Sequence, residues 1–225
     1  MGVIEVALID YMGDDTRVVN AARVSFNRDR RASSPDLIER DSKLIRYLAR
    51  HNHWTPFGHC VITMRETVPV FIARQRFKHT VGFVYNEISR RYVDEDPEFY
   101  VPDRWRARAP DKKQGSVEGS EVRSYGQSVT PSSRAEAVYE LAFTVYREML
   151  EGGVCPEQAR MVLPQSMMTS YYVTGSLAAW ARAYKLRSHA DAQAEIRRLA
   201  TEWSNIIAPL FPVSWGALTE ESSYG

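Results

Sequence analysis

The chain is organised around residues 71–92, which read FIARQRFKHTVGFVYNEISRRY. Charged and amide side chains alternate here with aromatic and branched ones, whereas a surface helix would collect its polar groups on one face. Phe71, Ala73 and Phe77 recur at helical spacing and predict that the first half of the stretch is a helix. Gly82 interrupts the pattern and divides the stretch into two parts.

The polar groups of this stretch suit an anion. Residues four apart on a helix are neighbours, which predicts Arg74 beside Lys78 and Gln75 beside His79. Residues 86–91, NEISRR, then offer amide, hydroxyl and guanidinium donors close together. Paired arginines and short polar donors are natural partners of a phosphate dianion. A solvated basic helix followed by a loop accounts for the same residues, and both interpretations stay open on composition alone.

Length and composition limit the class of protein. The 225 residues predict a single domain, 1–225, with enough apolar residues for a core. The 29 Lys and Arg residues nearly cancel the 28 Asp and Glu residues, so no overall charge excess indicates a nucleic-acid polymer or a membrane surface as partner. Any anion site must therefore be local, and residues 71–92 hold the local positive excess.

Cysteines and the chain start point to a cytoplasmic protein. Cys60 and Cys155 are too few for a disulfide framework or a zinc site, and they fit a reducing location. The opening residues MGVIEV predict neither a signal peptide nor myristoylation. The uncharged run 161–181 contains Pro164 and many Ser and Thr residues, which argue against a membrane span. It is expected to be buried interior or a subunit interface.

Periodicity predicts elements on both sides of the organising stretch. Strands are predicted at Val3–Ile9 and Cys60–Val68, and helices at Asp15–Arg23, from Pro35 with Ser34 as cap, at Glu136–Leu150 and at Ala190–Ile207. Residues 105–133 are rich in Gly, Ser, Pro and charge and predict a long loop. These elements together predict an α+β fold, with a central sheet covered by helices.

The organising stretch resembles the signature of the flavin-dependent thymidylate synthases. Their motif is Arg-His-Arg, seven residues and Ser, within a longer run Arg-Gln-x-Phe-Arg-His-Arg…Tyr-Asn-Glu-x-Ser-x-Arg-Tyr. The matching positions are Arg74-Gln75, Phe77, His79, Tyr85-Asn86-Glu87, Ser89 and Arg91-Tyr92. Lys78 and Thr80 stand where the family has arginines, and eight residues rather than seven separate Thr80 from Ser89. The resemblance implies a central, mostly antiparallel sheet.

Two segments in the first quarter of the chain carry the same resemblance. The step Ala22–Phe26 is similar to a family segment whose serine, here Ser25, contacts the flavin. Residues 53–59, HWTPFGH, resemble the loop His-x-Thr-Pro-Phe-x-His, which implies that His53 lies near the folate and the flavin and that Thr55 lies near the flavin. A proline-containing loop with ordinary solvated histidines remains the alternative. The histidine spacing predicts no metal site.

Two segments near the end of the chain complete the resemblance. Residues 158–164, QARMVLP, match the run Gln-Ala-Arg-x-Val-Leu-Pro, whose arginine, here Arg160, binds the nucleotide. The alternative is an Arg160 paired with a buried carboxylate, since the run is otherwise apolar. Leu186-Arg187 resembles a Leu-Arg pair whose arginine holds the uracil edge, and Ser176 lies in a region that contacts the flavin.

The resemblance thus implies a full set of site residues. The catalytic residues would be Arg187 and His53. Substrate would be bound by Gln75, Arg76, Glu87, Ser89, Arg90, Arg91, Arg160 and Arg187, and the flavin by Ser25, His53, Thr55, Lys78, His79, Thr80 and Ser176.

The family's reaction defines the expected function. It transfers a methylene group from methylenetetrahydrofolate to C5 of dUMP and reduces it to methyl with hydride from FAD, which NADPH regenerates. The resemblance therefore implies a methyltransferase with these cofactors, with a uracil nucleotide and a folate as partners. It also implies a homotetramer with active sites between subunits. The other class of thymidylate synthase uses a cysteine nucleophile, and neither cysteine here is flanked by a base.

Three alternatives remain beside ordinary dUMP methylation. The altered motif raises the hypothesis that UMP is also a substrate, as expected for family members in nucleoside-antibiotic pathways. A non-catalytic nucleotide-binding relative would have lost function through the changes at Lys78, Thr80, Ser176 and Ala178. An enzyme that stops at the hydroxymethyl stage would differ only in the mass of its product.

Overall fold

A computed structural model describes residues 1–26, 35–92, 96–110, 115–117, 119–124 and 129–220, apart from the side chains of residues 26 and 35–37. The predicted cap Ser34 and the preceding loop, 27–33, lie outside the described residues. Parts of the predicted 105–133 loop also lie outside them, at 111–114, 118 and 125–128.

Strands and helices are mixed along the chain. The strands are β1 (Glu5–Met12), β2 (Val61–Pro69), β3 (Phe83–Glu87) and β4 (Met168–Ser176). The α-helices are α1 (Asp15–Arg23), α2 (Pro35–Arg50), α3 (Val70–Arg76), α4 (Pro131–Glu151), α5 (Pro156–Ala159), α6 (Leu177–Ser188), α7 (Ala194–Leu210) and α8 (Pro212–Thr219). Short 3-10 helices lie at Val24–Phe26, Thr55–His59 and Arg160–Val162. The predicted α+β class is confirmed.

The four strands form one antiparallel sheet in the order β1-β2-β4-β3. Along β2 the side chains alternate, because Ile62 and Met64 are fully buried whereas Arg65 is exposed. On the other face, the hydroxyls of Thr63 and Thr174 lie 2.9 Å apart and join β2 to β4. The period-two pattern that predicted this strand therefore corresponds to one buried and one partly open face.

Two compact units interleave along the sequence. The first contains Met1–Glu5, Thr67–Lys78 and Asn86–Tyr171. The second contains Val6–Glu66, His79–Tyr85 and Tyr172–Gly225. The single domain expected from chain length remains a prediction.

The second unit has an aromatic core around Trp180 of α6. This side chain is fully buried, and its ring meets Trp203 of α7 edge-on at a centroid distance of 5.4 Å. Phe83 of β3 packs against it at 5.1 Å. The indole N–H donates to the carbonyl of Ile62 in β2 at 3.2 Å, so the buried polar group is satisfied. These contacts fix α6 on the sheet and thereby place its last turn.

The first unit has a smaller aromatic cluster. The rings of Phe77 and Tyr171 meet edge-on at 4.8 Å, and those of Phe99 and Tyr139 stack at 5.1 Å. The Tyr139 hydroxyl donates to the carbonyl of Tyr100 at 3.2 Å. These pairs pack α3 on β4 and the start of α4 on the segment that follows residue 96.

Some predicted boundaries are correct and others are wrong. Helix α1 spans the predicted residues, and α4 ends at the Gly152-Gly153 step as expected. The start of α4 is five residues earlier than predicted, at Pro131 instead of Glu136. The reason is local, because the Thr130 hydroxyl accepts from the Ser133 N–H as an N-cap and Pro131 occupies the first turn. The predicted loop is correspondingly shorter.

Helix α8 was missed by the sequence analysis. Its first turn is held by Asp15 of α1, whose carboxylate accepts from the backbone N–H groups of Val213 and Ser214 at 2.8 and 2.9 Å. A carboxylate at a helix N-terminus satisfies free donors and complements the helix dipole. The cap comes from a residue far away in sequence, so no local pattern indicated it.

Candidate active site

The organising stretch is a helix, a turn and a strand. Helix α3 ends at Arg76, with Phe77 as its cap, so Lys78 lies outside the helix. The predicted helical neighbours Arg74 with Lys78 and Gln75 with His79 are therefore wrong. Gly82 has φ +79°, a backbone conformation that other residues rarely adopt, and a Cβ there would lie 2.9 Å from the Cβ of Ala179.

The turn brings His79 to Arg187 in the last turn of α6. Arg187 Nε donates to Nε2 of His79 at 2.9 Å, and both side chains are half-buried. The hydroxyl of Tyr85 donates to the His79 carbonyl at 2.8 Å and holds the turn. Two residues that the sequence assigned to flavin and uracil are thus direct neighbours. A role for Tyr85 was not predicted, although it lies inside the matching Tyr-Asn-Glu run.

The first turn of α6 also binds the 79–82 turn. Ser176 caps the helix by accepting from the Ala179 N–H at 3.2 Å, and its own N–H donates to the Gly82 carbonyl at 3.3 Å. Arg182 Nη2 donates to the Val81 carbonyl at 2.6 Å. The Ser176 hydroxyl therefore has a structural partner already. Arg182 was not predicted, because nothing in the sequence pairs it with residue 81.

Other residues assigned to the flavin are exposed in the second unit. Ser25 lies in the 3-10 helix after α1, Thr55 begins the next 3-10 helix, and Thr80 lies in the turn after α3. His53 is exposed too and belongs to a cluster of rings with Tyr47, whose centroid lies 6.2 Å from that of the imidazole. Hydroxyls and imidazoles open to solvent are the donors that a flavin's carbonyl and phosphate oxygens need.

A polar cluster in the first unit brings together three of the predicted substrate residues. Arg91 donates to the Ser89 hydroxyl through its backbone N–H at 3.4 Å and its Nε at 3.3 Å. Its guanidinium also lies 3.6 Å from Glu157, and Arg160 Nε donates to the Glu157 carbonyl at 3.4 Å. Sequence analysis did not identify Glu157, which links arginines that are far apart in the chain.

Arg160 is exposed. The structure does not support the alternative of an Arg160 paired with a buried carboxylate, because the segment forms a surface 3-10 helix in which Met161 is 79% exposed. An exposed guanidinium beside Arg91 can bind an external anion without the cost of burying a charge.

The other residues assigned to substrate differ in exposure. Glu87 is exposed and accepts from the Thr169 hydroxyl at 2.6 Å, while Gln75 and Arg90 are half-buried. Arg76 is fully buried, with no surface open to a ligand. Lys78, assigned to the flavin, is exposed in the same unit.

Cys60 is not an activated nucleophile. Cys60 is fully buried, its thiol donates to the Asp14 carbonyl at 3.6 Å, and burial raises its pKa to about 11. At neutral pH the group is therefore a thiol and not the reactive thiolate. Cys155 is exposed at the start of α5. Within the described ranges, no group of three or more His, Cys, Asp or Glu side chains is arranged to hold a metal ion.

Comparison with known proteins identifies the family. A family model described as thymidylate synthase complementing protein matches residues 7–213. The chain is 37% identical over 210 residues to the flavin-dependent thymidylate synthase of Thermosipho africanus, covering 93% of this chain and 88% of that protein. It is 38% identical over 215 residues to the enzyme of that name from Thermus thermophilus, covering 96% and 75%.

The chain belongs to the flavin-dependent thymidylate synthase family.

A solved structure of a related enzyme matches this flavin-dependent thymidylate synthase fold closely. The UMP/dUMP methylase PolB from Streptomyces cacaoi, bound with 5-Br dUMP, superposes with a TM-score of 0.82 at 32% identity, covering 96% of this chain and 95% of PolB. The same enzyme bound with 5-Br UMP superposes with a TM-score of 0.78. The matches confirm the predicted family, fold and methyltransferase class. In the described part of the chain, no helix has the length and hydrophobicity needed to cross a bilayer.

Proposed function

We propose that this flavin-dependent thymidylate synthase relative methylates C5 of a uracil mononucleotide. Methylenetetrahydrofolate supplies the carbon, FAD is the bound redox cofactor and NADPH is the reductant. The observation that carries the proposal is the hydrogen bond between Arg187 and His79, because it presents a guanidinium from the last turn of α6 beside the family's signature turn. The likeness to a UMP/dUMP methylase supports the choice of a uracil nucleotide.

Arg187 is the residue that activates the uracil ring. C5 becomes nucleophilic when negative charge accumulates on a ring carbonyl oxygen; a guanidinium donor there stabilises that charge, which passes into the new bond as C5 attacks the methylene carbon. One well-placed donor of this kind contributes roughly 3–4 kcal/mol to a transition state. His79 accepts from Nε, and a guanidinium carries further donors on its terminal nitrogens.

Ser89, Arg91 and Arg160 bind the phosphate. They form one exposed or half-exposed polar cluster, and their hydroxyl and guanidinium donors match the oxygens of a phosphate dianion. Gln75, Glu87 and Arg90 are proposed to contact the sugar and phosphate. Arg76 is left out of the proposed set, because a fully buried side chain has no surface to offer.

The residues of the second unit fit a flavin. Ser25, His53, Thr55 and Thr80 are exposed donors, and His79, which precedes Thr80, is half-buried. When bound, FAD supplies the hydride that converts the transferred methylene group to methyl. Lys78 keeps the positive charge of the family's arginine and loses its planar fork, which reduces its choice of phosphate geometries. The Ser176 hydroxyl caps α6, so its contribution is to hold the turn.

The state of Cys60 supports a route without a cysteine nucleophile. Attack at C6 of uracil requires a thiolate, and the buried Cys60 is protonated at neutral pH. On the flavin route the nucleophile is C5 of the uracil ring itself, polarised by Arg187. This consideration favours the flavin route over covalent catalysis.

Both dUMP and UMP are proposed as substrates. PolB, which superposes over nearly the whole chain, has been solved with a brominated analogue of each. The extra residue between Thr80 and Ser89 changes the spacing within the signature and offers a way to admit a 2′-hydroxyl.

We further propose a cytoplasmic homotetramer whose active sites combine residues of different subunits. The exposed apolar side chains Val138 and Leu141 of α4 and Met161 offer apolar surface that association would bury. In such an assembly, the phosphate set and the Arg187–His79 pair are free to come from different chains. Light scattering of the purified protein tests the tetramer, and a monomer would contradict it.

A product assay tests the proposed function. The protein is incubated with FAD, NADPH, methylenetetrahydrofolate and equimolar dUMP and UMP, and the nucleotide products are weighed. A gain of one CH2 on both nucleotides is the expected result. A mass gain on dUMP alone would show that UMP is not a substrate. A hydroxymethyl product would show that the reaction stops before reduction to methyl. If no product forms and no flavin is bound, the proposal that the protein is an enzyme is refuted.

A further inference from the structure

The backbone around His53 is fixed by the way α2 ends. The His53 N–H donates to the Leu48 carbonyl at 2.9 Å, and the Asn52 N–H donates to the Ala49 carbonyl at 3.1 Å. This nested pair of bonds is the Schellman arrangement, which needs a left-handed residue just beyond the helix. Asn52 supplies it with φ +55°, and it is the sole non-glycine residue with positive φ among the described residues.

The identity of residue 52 therefore matters. Asparagine and glycine enter the left-handed region at low cost, whereas a β-branched side chain there is strained. Because the bonds made by Asn52 and His53 both return to the last turn of α2, the left-handed turn sets the direction in which the His53 side chain leaves the backbone.

A second contact acts on the His53 ring itself. The ring of Tyr47, in the last turn of α2, lies at a centroid distance of 6.2 Å from the imidazole and is inclined by only 25°. Tyr47 also packs on His51 at 4.3 Å, and the two imidazoles lie 6.4 Å apart. All three side chains are exposed. An exposed imidazole samples several rotamers unless a neighbour restricts it, and the Tyr47 ring is placed to do so.

We propose that Asn52 and Tyr47 are positioning residues for His53. Asn52 holds the backbone through its left-handed conformation, and Tyr47 orients the imidazole by ring stacking. The inference rests on the proposed function and on the family resemblance, which implies that His53 lies near the folate co-substrate. The planar heteroaromatic ring of the co-substrate binds an imidazole that is already oriented with a smaller loss of entropy than it would bind a mobile imidazole. Asn52 and Tyr47 therefore lower the KM for methylenetetrahydrofolate.

Paired variants of the holoenzyme distinguish the positioning of His53 from a mere change in side-chain size at residues 52 and 47. Asn52→Gly keeps the left-handed turn and Tyr47→Phe keeps the ring, so both should resemble the wild type. Asn52→Val strains the turn and Tyr47→Ala removes the ring. We expect each of the latter to raise the KM for methylenetetrahydrofolate by roughly fivefold, the scale of one aromatic contact, with the KM for the nucleotide unchanged. Circular dichroism confirms that each variant is folded.

The imidazole C–H resonances of the apoprotein give a readout independent of turnover. The ring current of Tyr47 shifts the His53 signals, which His53→Gln identifies by their loss. Tyr47→Ala and Asn52→Val should move these signals, and Tyr47→Phe and Asn52→Gly should not. Identical His53 signals in all four variants, or equal rises in the two KM values, would overturn the inference. If the wild type makes no methylated product while the signals respond as expected, the proposed function fails and the positioning of His53 stands.

Discussion

Arg187 Nε lies 2.9 Å from Nε2 of His79, and the direction of the hydrogen bond is fixed by chemistry. A guanidinium has only donors, so Nε2 is the acceptor and carries no proton. The signature histidine thus holds the arginine that we assign to the uracil ring, in addition to any contact with the flavin.

Replacing Arg187 should stop the chemistry and spare the cofactor. Arg187→Ala removes the donor that stabilises charge on the uracil carbonyl, and the expected loss of methyl transfer is on the order of 10²–10³-fold. Flavin absorbance of the purified variant should be unchanged. Arg187→Lys retains the charge without the Nε donor, so its methyl transfer rate should lie between those of the wild type and the alanine variant. Unimpaired turnover in the alanine variant would remove Arg187 from the mechanism.

Replacing His79 tests its role as an acceptor. His79→Leu leaves Arg187 Nε without this partner, and a hydrogen bond to a charged group is worth about 1.5–3 kcal/mol, so we expect kcat/KM for the nucleotide to fall at least about tenfold. His79→Gln presents a carbonyl oxygen and should recover part of the loss. Steady-state kinetics at saturating folate measure both. If the leucine variant loses flavin but keeps its KM for the nucleotide, His79 serves only the cofactor.

Cysteine modification should have no effect on the reaction. Burial raises the pKa of Cys60 to about 11, so at pH 8 this group is a shielded, protonated thiol. Iodoacetamide at that pH should label the exposed Cys155 alone, with Cys60 labelled only after unfolding. Mass spectrometry of the peptides identifies the labelled cysteines. The labelled protein should retain its methyl transfer rate. Loss of activity in Cys155→Ser would indicate a covalent role that the present account excludes.

Two glycine-to-alanine variants test the packing beneath the 79–82 turn. A Cβ at Gly175 of β4 would lie 2.3 Å from the ring of Phe83, so Gly175→Ala should cost about 1–3 kcal/mol of unfolding free energy. A Cβ at Gly216 of α8 meets no atom within 4 Å, and Gly216→Ala should be neutral or stabilising by up to ~1 kcal/mol. Urea denaturation measures both. Equal stability of the two variants would contradict the tight contact between β3 and β4.

Local signals in the sequence predicted the elements that depend on local chemistry. The bounds of α1, the alternation in β2, the break at Gly82 and the stop after α4 were each visible as caps, periodicity or glycine. The end of α3 was not visible, because the apolar spacing continues to Phe77 while the helix ends at Arg76. Helix termination there depends on packing, which a local pattern does not contain.

Contacts between distant residues escaped the sequence analysis. The cap of α8 by Asp15, the bond from Arg187 to His79 and the link of Arg91 to Glu157 each join residues more than 60 positions apart. The motif resemblance named most of these residues, yet it did not say which of them touch. The surroundings of Arg160 were not visible either, since an apolar neighbourhood in sequence forms an exposed turn.

A single-turnover experiment tests the central claim most directly. The protein with its flavin reduced is mixed, without oxygen, with methylenetetrahydrofolate and dUMP, while flavin absorbance is followed and the nucleotide is weighed. We predict that the flavin is oxidised only when both substrates are present, with one methylated nucleotide formed per flavin. Methylated product without flavin oxidation, or oxidation without product, would contradict flavin-dependent methylation of a uracil nucleotide.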